Sequence, residues 1–289
     1  MLSFEFFFSE DAYWLSAIAI FLFGLCWGSF FNVCIWRIPR GESIVFTPSH
    51  CPNCGKNIAW FENIPVLSWI VLRGKCSSCK NPISARYILV EILTGCLFAI
   101  AYQRVVELNL GLPALIMYVL ASSLAILAFI IDIKHRIIPD KINYAVMILA
   151  LITAFAFPES VGKTSHLAGL INSILGLVVS IVLLGLFAFA GKKVFKKDVM
   201  GWGDVKYLGA IGACFGLIPA VWFFTLFIGS IVGMILGFCL MLFAKKSIFA
   251  ELPFGPFLAI GTYTWILFGP ELTEGYFTLI SSLLLTFNF

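Results

Sequence analysis

Long apolar runs separated by short basic stretches set the rhythm of this chain. Runs near or above about 18 residues can cross a bilayer as helices. They recur at roughly 14–36, 87–103, 113–133, 142–157, 167–190, 207–220, 221–244 and 254–269. The stretch from Tyr207 to Ala244 is too long for one crossing, and Pro219 is the expected place for it to turn. The final apolar tail, 276–289, is short for a span and is expected to extend the last helix. The pattern predicts an all-α polytopic membrane protein with about eight transmembrane helices. One long polar interval, 37–86, interrupts the pattern and predicts a small loop module outside the bilayer. The expected division is 1–36 as N-terminal segment and first span, 37–86 as the loop module, and 87–289 as the main membrane domain.

Composition agrees: 61% of the 289 residues are hydrophobic and 12% are charged, against about a quarter charged in an ordinary soluble domain. The acidic stretch Met1 to Tyr13 lacks Lys and Arg, and no small-residue cleavage site follows it, so it does not read as a cleaved signal peptide. Seventeen of the nineteen Lys and Arg fall in four clusters, at 37–86, 134–141, 192–206 and Lys245-Lys246. By the positive-inside rule all four loops face the cytosol and both termini lie outside. The net charge of +4 is thus a topology signal, and no nucleic-acid partner is expected.

Five of the nine cysteines lie in apolar spans, where a free thiol behaves as a small hydrophobe. The other four form Cys51-Pro-Asn-Cys54 and Cys76-Ser-Ser-Cys79, with 21 residues between the pairs. Two such knuckles are the spacing of a four-thiolate zinc site. A reducing compartment argues against two disulfides, and four thiolates leave no open position, so the zinc is expected to be structural. Gly55 follows the first pair where a turn is needed, and neighbouring His50 reads as a solvated loop residue. The module is too short for a sizeable core, so the metal supplies much of its folding free energy. Trp60, Phe61 and Trp69 are expected on the knuckles or at the membrane surface.

Candidate chemistry lies in two aspartates at the cytosolic ends of apolar runs. Asp132 precedes Lys134, His135 and Arg136, and Asp204 ends the run Gly201-Trp-Gly203-Asp204. Carboxylates at membrane depth are costly, face protein or water, and tend to be functional. Two that share a site cannot both ionise easily, so one can activate water while the other donates a proton. Gly201 and Gly203 would let a peptide approach closely. Pro253-Phe-Gly255-Pro256 opens the last span and could leave backbone groups free for an extended substrate. Asp140, after Pro139, reads as a helix cap or dipole partner, Lys206 as a charge partner for Asp204 or a plain flank, and Gly209, Gly212 and Gly216 as a small-residue packing face. No metalloprotease helix, serine-nucleophile elbow or phosphate-binding loop occurs. These two residues alone also fit a proton relay in a transporter.

Taken together, the motifs resemble the bacterial type IV prepilin leader peptidases, membrane aspartyl proteases with a Gly-x-Gly-Asp site. The resemblance runs through Gly24-Leu-Cys-Trp-Gly-Ser-Phe-Phe-Asn-Val-Cys-Ile-Trp-Arg37-Ile-Pro39, the two cysteine pairs, Arg86-Tyr-Ile-Leu-Val-Glu91-Ile-Leu-Thr-Gly95, Asp132 to Asp140, Gly201 to Gly216 and Pro253 to Gly261, in order. Ile88 and Tyr207 depart from the family's usual proline and leucine. The resemblance implies a catalytic pair, Asp132 and Asp204. It implies cleavage of the basic leader of prepilins and pseudopilins just after a glycine, at the cytosolic face of the inner membrane. Gly201, Gly203, Pro253 and Gly255 would admit the leader. Because the large loop and first-span signature are present, it also implies N-methylation of the new N-terminus with S-adenosylmethionine as donor. A cleavage-only peptidase, a proton-coupled transporter and a non-catalytic assembly scaffold are the alternatives.

Overall fold

The structure is a computed structural model that describes residues 12–197, 200–244 and 253–286. The basic pair Lys245-Lys246 and most of the acidic N-terminal stretch lie outside the described residues. Among the described residues every regular element is helical: α1 (Tyr13–Arg37), α2 (Leu67–Val71), α3 (Arg86–Glu107), α4 (Gly111–His135), α5 (Asp140–Ala156), α6 (His166–Phe195), α7 (Trp202–Phe215), α8 (Pro219–Ala244) and α9 (Gly255–Thr286). Each of the eight apolar runs became a helix, and the long run breaks after Phe215 and restarts at Pro219, whose missing N–H is tolerated in a first turn. The apolar tail continues α9 as far as Thr286, beyond Pro270.

The chain is a multi-pass membrane protein. Among the described residues, five stretches are long and apolar enough to cross a bilayer: Tyr13–Arg40, Arg86–Glu107, Gly111–His135, Pro158–Phe195 and Pro219–Cys239. The other three of the expected eight are not among them. The helix α5 has only 17 residues and α7 only 14, while α9 carries Pro270, Glu271 and Glu274.

The chain divides into two compact units, the first running to Leu115 and the second from Ile116. In the first, α1 and α3 are antiparallel and pack at small residues. A Cβ on Gly24 would lie 2.7 Å from the Gly95 Cα, and one on Gly28 would lie 2.7 Å from the Glu91 Cα. Between these helices runs the 38–85 segment, with one short α-helix, α2, two 3₁₀ turns at Ile38–Arg40 and Trp60–Asn63, and two isolated antiparallel bridges.

In the second unit α7 is the core. Every residue from Asp204 to Phe215 except Lys206 is buried, as expected of a helix that is apolar all round. The predicted glycine face packs as intended: Gly212 meets Gly176 and Ser180 of α6, and Gly209 meets Ile181 and Met147. Gly216 ends α7 at φ 74°, a conformation that favours glycine. Tyr207, fully buried, spends its hydroxyl on Thr262 of α9 at 2.9 Å, so the polar atom has a partner.

Candidate functional site

The geometry around the two aspartates starts with helix ends. Asp132 lies in the last turn of α4, which stops when Arg136 turns left-handed at φ 55°, its N–H bonded to the Asp132 carbonyl at 2.8 Å. Pro139, with φ −65°, then caps α5. Asp204 is the third residue of α7. Both side chains are buried, at 5% and 8% exposure.

Each carboxylate is held by one backbone N–H at the start of a helix. Gly255, the first residue of α9, donates to Asp132 Oδ2 at 2.9 Å. Gly201, immediately before α7, donates to Asp204 Oδ2 at 3.2 Å. Helix N-termini present free N–H groups and partial positive charge, which suits a carboxylate. Asp204 lies within electrostatic reach of Asp132. The two predicted aspartates thus lie near each other in the second unit.

The predicted glycines surround them. A Cβ on Gly255 would stand 2.8 Å from Asp132 Oδ2, one on Gly201 3.2 Å from Asp204 Oδ2, and one on Gly203 3.1 Å from the Ile138 carbonyl oxygen. Gly255 therefore has a role that spacing did not suggest: its N–H positions a carboxylate. Pro253, partly buried, lies two residues before it. Asn143 went unnoticed in the sequence. It is fully buried on α5, and its amide donates to the Gly203 carbonyl at 3.4 Å, tying α5 to the segment that carries Asp204. Its only sequence signal is an asparagine within an apolar run. Lys206 pairs with Asp140 at 2.6 Å rather than with Asp204. Asp140 lies in the first turn of α5, so the pair ties the starts of α5 and α7 together.

In the first unit the four predicted cysteines converge. The Sγ atoms of Cys51, Cys54, Cys76 and Cys79 all lie within 4.8 Å of one another, and Cys51 and Cys79 are 3.9 Å apart. The two knuckles are built alike. Antiparallel bridges join His50 to Asn57 and Lys75 to Pro82, each flanking its cysteine pair at the same offsets. The residue after each pair is left-handed, Gly55 at φ 71° and Lys80 at φ 59°. The Asn81 N–H, then the Asn53 amide, hold the Cys79 thiol down to about 6, and the N–H groups of Cys54 and Asn53 lower that of Cys51. These are groups that favour thiolate, the form that binds metal. His50 is exposed, its ring nitrogen near the Pro48 carbonyl, outside the cluster. Of the module's aromatics, Trp69 packs on Gly74 and donates to the Ile83 carbonyl, while Trp60 and Phe61 are exposed.

Comparison with known proteins assigns the family. The description "Bacterial Peptidase A24 N-terminal domain" matches residues 22–105, and "Type IV leader peptidase family" matches residues 118–238. The chain belongs to the type IV leader peptidase family. A relative from Myxococcus xanthus is 40% identical over 225 residues, which cover 77% of this chain and 63% of that protein. One from Stutzerimonas stutzeri is 33% identical over 280 residues, covering 88% and 91%. One from Pseudomonas aeruginosa is 32% identical over 282 residues, again covering 88% and 91%. All three bear the name prepilin leader peptidase/N-methyltransferase. No solved structure matches the chain.

Proposed function

We propose that this chain cleaves the leader peptide from type IV prepilins and pseudopilins at the cytosolic face of the bacterial inner membrane, and methylates the N-terminus it creates. The observation that carries the peptidase reading is the pair of buried aspartates, brought together from separate helices and each oriented by a backbone N–H. Family membership supports both activities.

In this reading Asp132 and Asp204 act as one unit. A second negative charge beside the first is opposed, so the pair works with one proton between its two carboxyls. The ionised member takes a proton from water, whose oxygen bonds to the carbonyl carbon of the scissile peptide. The protonated member donates to the departing nitrogen as the C–N bond breaks. Roles within such a pair belong to the pair, not to one residue. Gly201, Gly203, Pro253 and Gly255 admit the extended leader; a Cβ on any of the three glycines would crowd the carboxylates or the neighbouring backbone. The basic loops orient the site toward the cytosol, where a prepilin's basic leader meets its apolar helix.

The four cysteines fit a structural zinc ion. Tetrahedral zinc with Zn–S bonds of about 2.3 Å requires sulfurs about 3.8 Å apart, close to the 3.9 Å between Cys51 and Cys79. Their role is to close the 37–86 module, with 1–36 as the first span and 87–289 as the peptidase domain. S-adenosylmethionine, when bound, would supply an electrophilic methyl group for the new N-terminal amine.

Incubating the purified chain with a prepilin, with and without S-adenosylmethionine, tests both activities. Mass spectrometry should show a product beginning just after a glycine, heavier by one methyl group only when the donor is present. An intact prepilin across several substrates would overturn the peptidase reading, and a cleaved product that never gains the methyl would overturn bifunctionality.

A further inference from the structure

The 38–85 segment carries an apolar face that its own fold leaves uncovered. Leu67, Ile70 and Val71 are all exposed and, at spacing i, i+3 and i+4, share one side of α2. Trp69 lies on the other side, its ring against Gly74 and its indole N–H donating to the Ile83 carbonyl at 3.2 Å. Beside α2 runs the 3₁₀ turn Trp60–Asn63, tied to it by the Ser68 hydroxyl, which donates to the Phe61 carbonyl at 3.0 Å. The rings of Trp60 and Phe61 meet edge to face at 5.8 Å, and both are exposed, Trp60 by 81%. Scattered apolar side chains are ordinary on a surface, but a cluster of this kind marks a place that another body covers.

Two observations say which body. The first is position. The N–H of Val66, the residue before α2, donates to the Glu91 carboxylate at 2.7 Å. Glu91 lies in the second turn of α3, about 7.5 Å of helix rise beyond Arg86, where Gly28 of α1 meets its backbone. The start of α2 is therefore pinned to the α1–α3 pair, close to the level at which these helices leave the bilayer. The second is charge. Within 38–85 five residues are Lys or Arg and two are Glu, and Arg73 and Lys75, just beyond α2, are exposed. Tryptophan favours the headgroup level of a bilayer. Lys and Arg beside an apolar face are drawn to the negative surface of the cytoplasmic leaflet.

We propose that the face formed by Trp60, Phe61, Leu67, Ile70 and Val71 rests on the anionic cytosolic surface of the membrane that α1 and α3 cross. The proposal rests on the cytosolic placement of the 37–86 module. The cysteine knuckles hold the fold of the segment, and lipid covers the side they leave open. Because helices in the bilayer anchor both ends of the segment, contact with the surface is effectively intramolecular and needs little affinity of its own.

The experiment places the full chain, with zinc bound, in nanodiscs of phosphatidylcholine with or without phosphatidylglycerol. The emission lost in Trp60→Phe is that of Trp60, and zinc content checks that the variant folds. Lipid brominated at a shallow acyl position should quench most of that emission in anionic discs, and less of it without phosphatidylglycerol. Water-borne acrylamide should quench little of it in anionic discs. Strong quenching by acrylamide and none by brominated lipid would show a face in water and overturn the proposal. Resistance to both quenchers would show a face covered by protein, which also overturns it. Equal lipid quenching in the two kinds of disc would overturn the anionic surface. If Trp60→Phe loses zinc, Ile70→Trp supplies the probe instead, as the emission it adds to the wild type. Sidedness is read separately: proteinase K cutting of 41–85 in intact spheroplasts would overturn the cytosolic placement, and with it the leaflet named here, while the nanodisc result stands.

Discussion

The four-cysteine module and the carboxylate pair solve the same problem, holding reactive or ligating side chains in place, by opposite means. The cysteines lie in a segment with one five-residue α-helix, two 3₁₀ turns and two isolated bridges. Little apolar packing fixes them, and four side chains converging on one point take its place. Each aspartate instead sits on a helix inside a packed bundle, and the contact that orients it comes from backbone: Gly255 to Asp132 across 123 positions of sequence, Gly201 to Asp204 across three. A site built from ligands can be read from local spacing, because two Cys-x-x-Cys pairs carry nearly all of its geometry. A site built from helix packing can be suspected from sequence, but its supports appear only when distant helices meet.

That contrast can be broken or sharpened experimentally, beginning with the most drastic change. Stripping the metal with a chelator, or replacing Cys51 and Cys79 by serine, should unfold the module outright, since small metal sites and their folds form together. Limited proteolysis with mass mapping should then cut between 41 and 85 while α5 to α7 stay protected. Continued resistance of 41–85 without metal would show that packing, not ligation, holds the module.

Gly255→Ala attacks the other side of the contrast. The added Cβ would lie 2.8 Å from Asp132 Oδ2, and displacing a reacting group by about an ångström costs on the order of 10²-fold in rate. Prepilin cleavage should fall by about that factor with zinc content unchanged. An unaffected rate would mean that the Gly255 N–H does not position Asp132. Asn143→Ala should lower cleavage less, roughly tenfold, because its amide supports Gly203 rather than a carboxylate directly. A larger loss than that of Gly255→Ala would reverse this order. Smallest of all, Lys206→Met removes a pair whose Asp140 partner is half-exposed. It should shift stability by no more than about 0.5 kcal/mol, measured by thermal melting in detergent, with catalysis little changed.

The sequence anticipated the parts of this fold that depend on neighbours along the chain. Apolar run length placed eight helices to within about five residues, the short apolar tail extended α9 to Thr286 as expected, and Pro219 marked the start of α8. The glycines of α7 announced a close-packed face because their spacing is helical. Run length did not say how many helices span the membrane: α5 and α7 are apolar but short, and a buried bundle needs no bilayer-length helix. Partner choice was also hidden. Lys206 stands two positions from Asp204, yet it pairs with Asp140 because the start of α5 lies beside that of α7. The Gly255 and Asn143 contacts were invisible for the same reason: a donor's target in a folded bundle is fixed by helix placement, not by spacing.

The most direct test of the aspartate pair is a double-mutant cycle on prepilin cleavage under single-turnover conditions, comparing Asp132→Asn, Asp204→Asn and the double variant, each checked for folding by circular dichroism. Residues that work as one unit lose nearly everything singly and nothing further together. The expected result is a loss of roughly 10³-fold or more in each single variant, with the double variant no slower than the worse of the two. A single variant that keeps the wild-type rate, or losses that multiply in the double variant, would contradict a shared catalytic site.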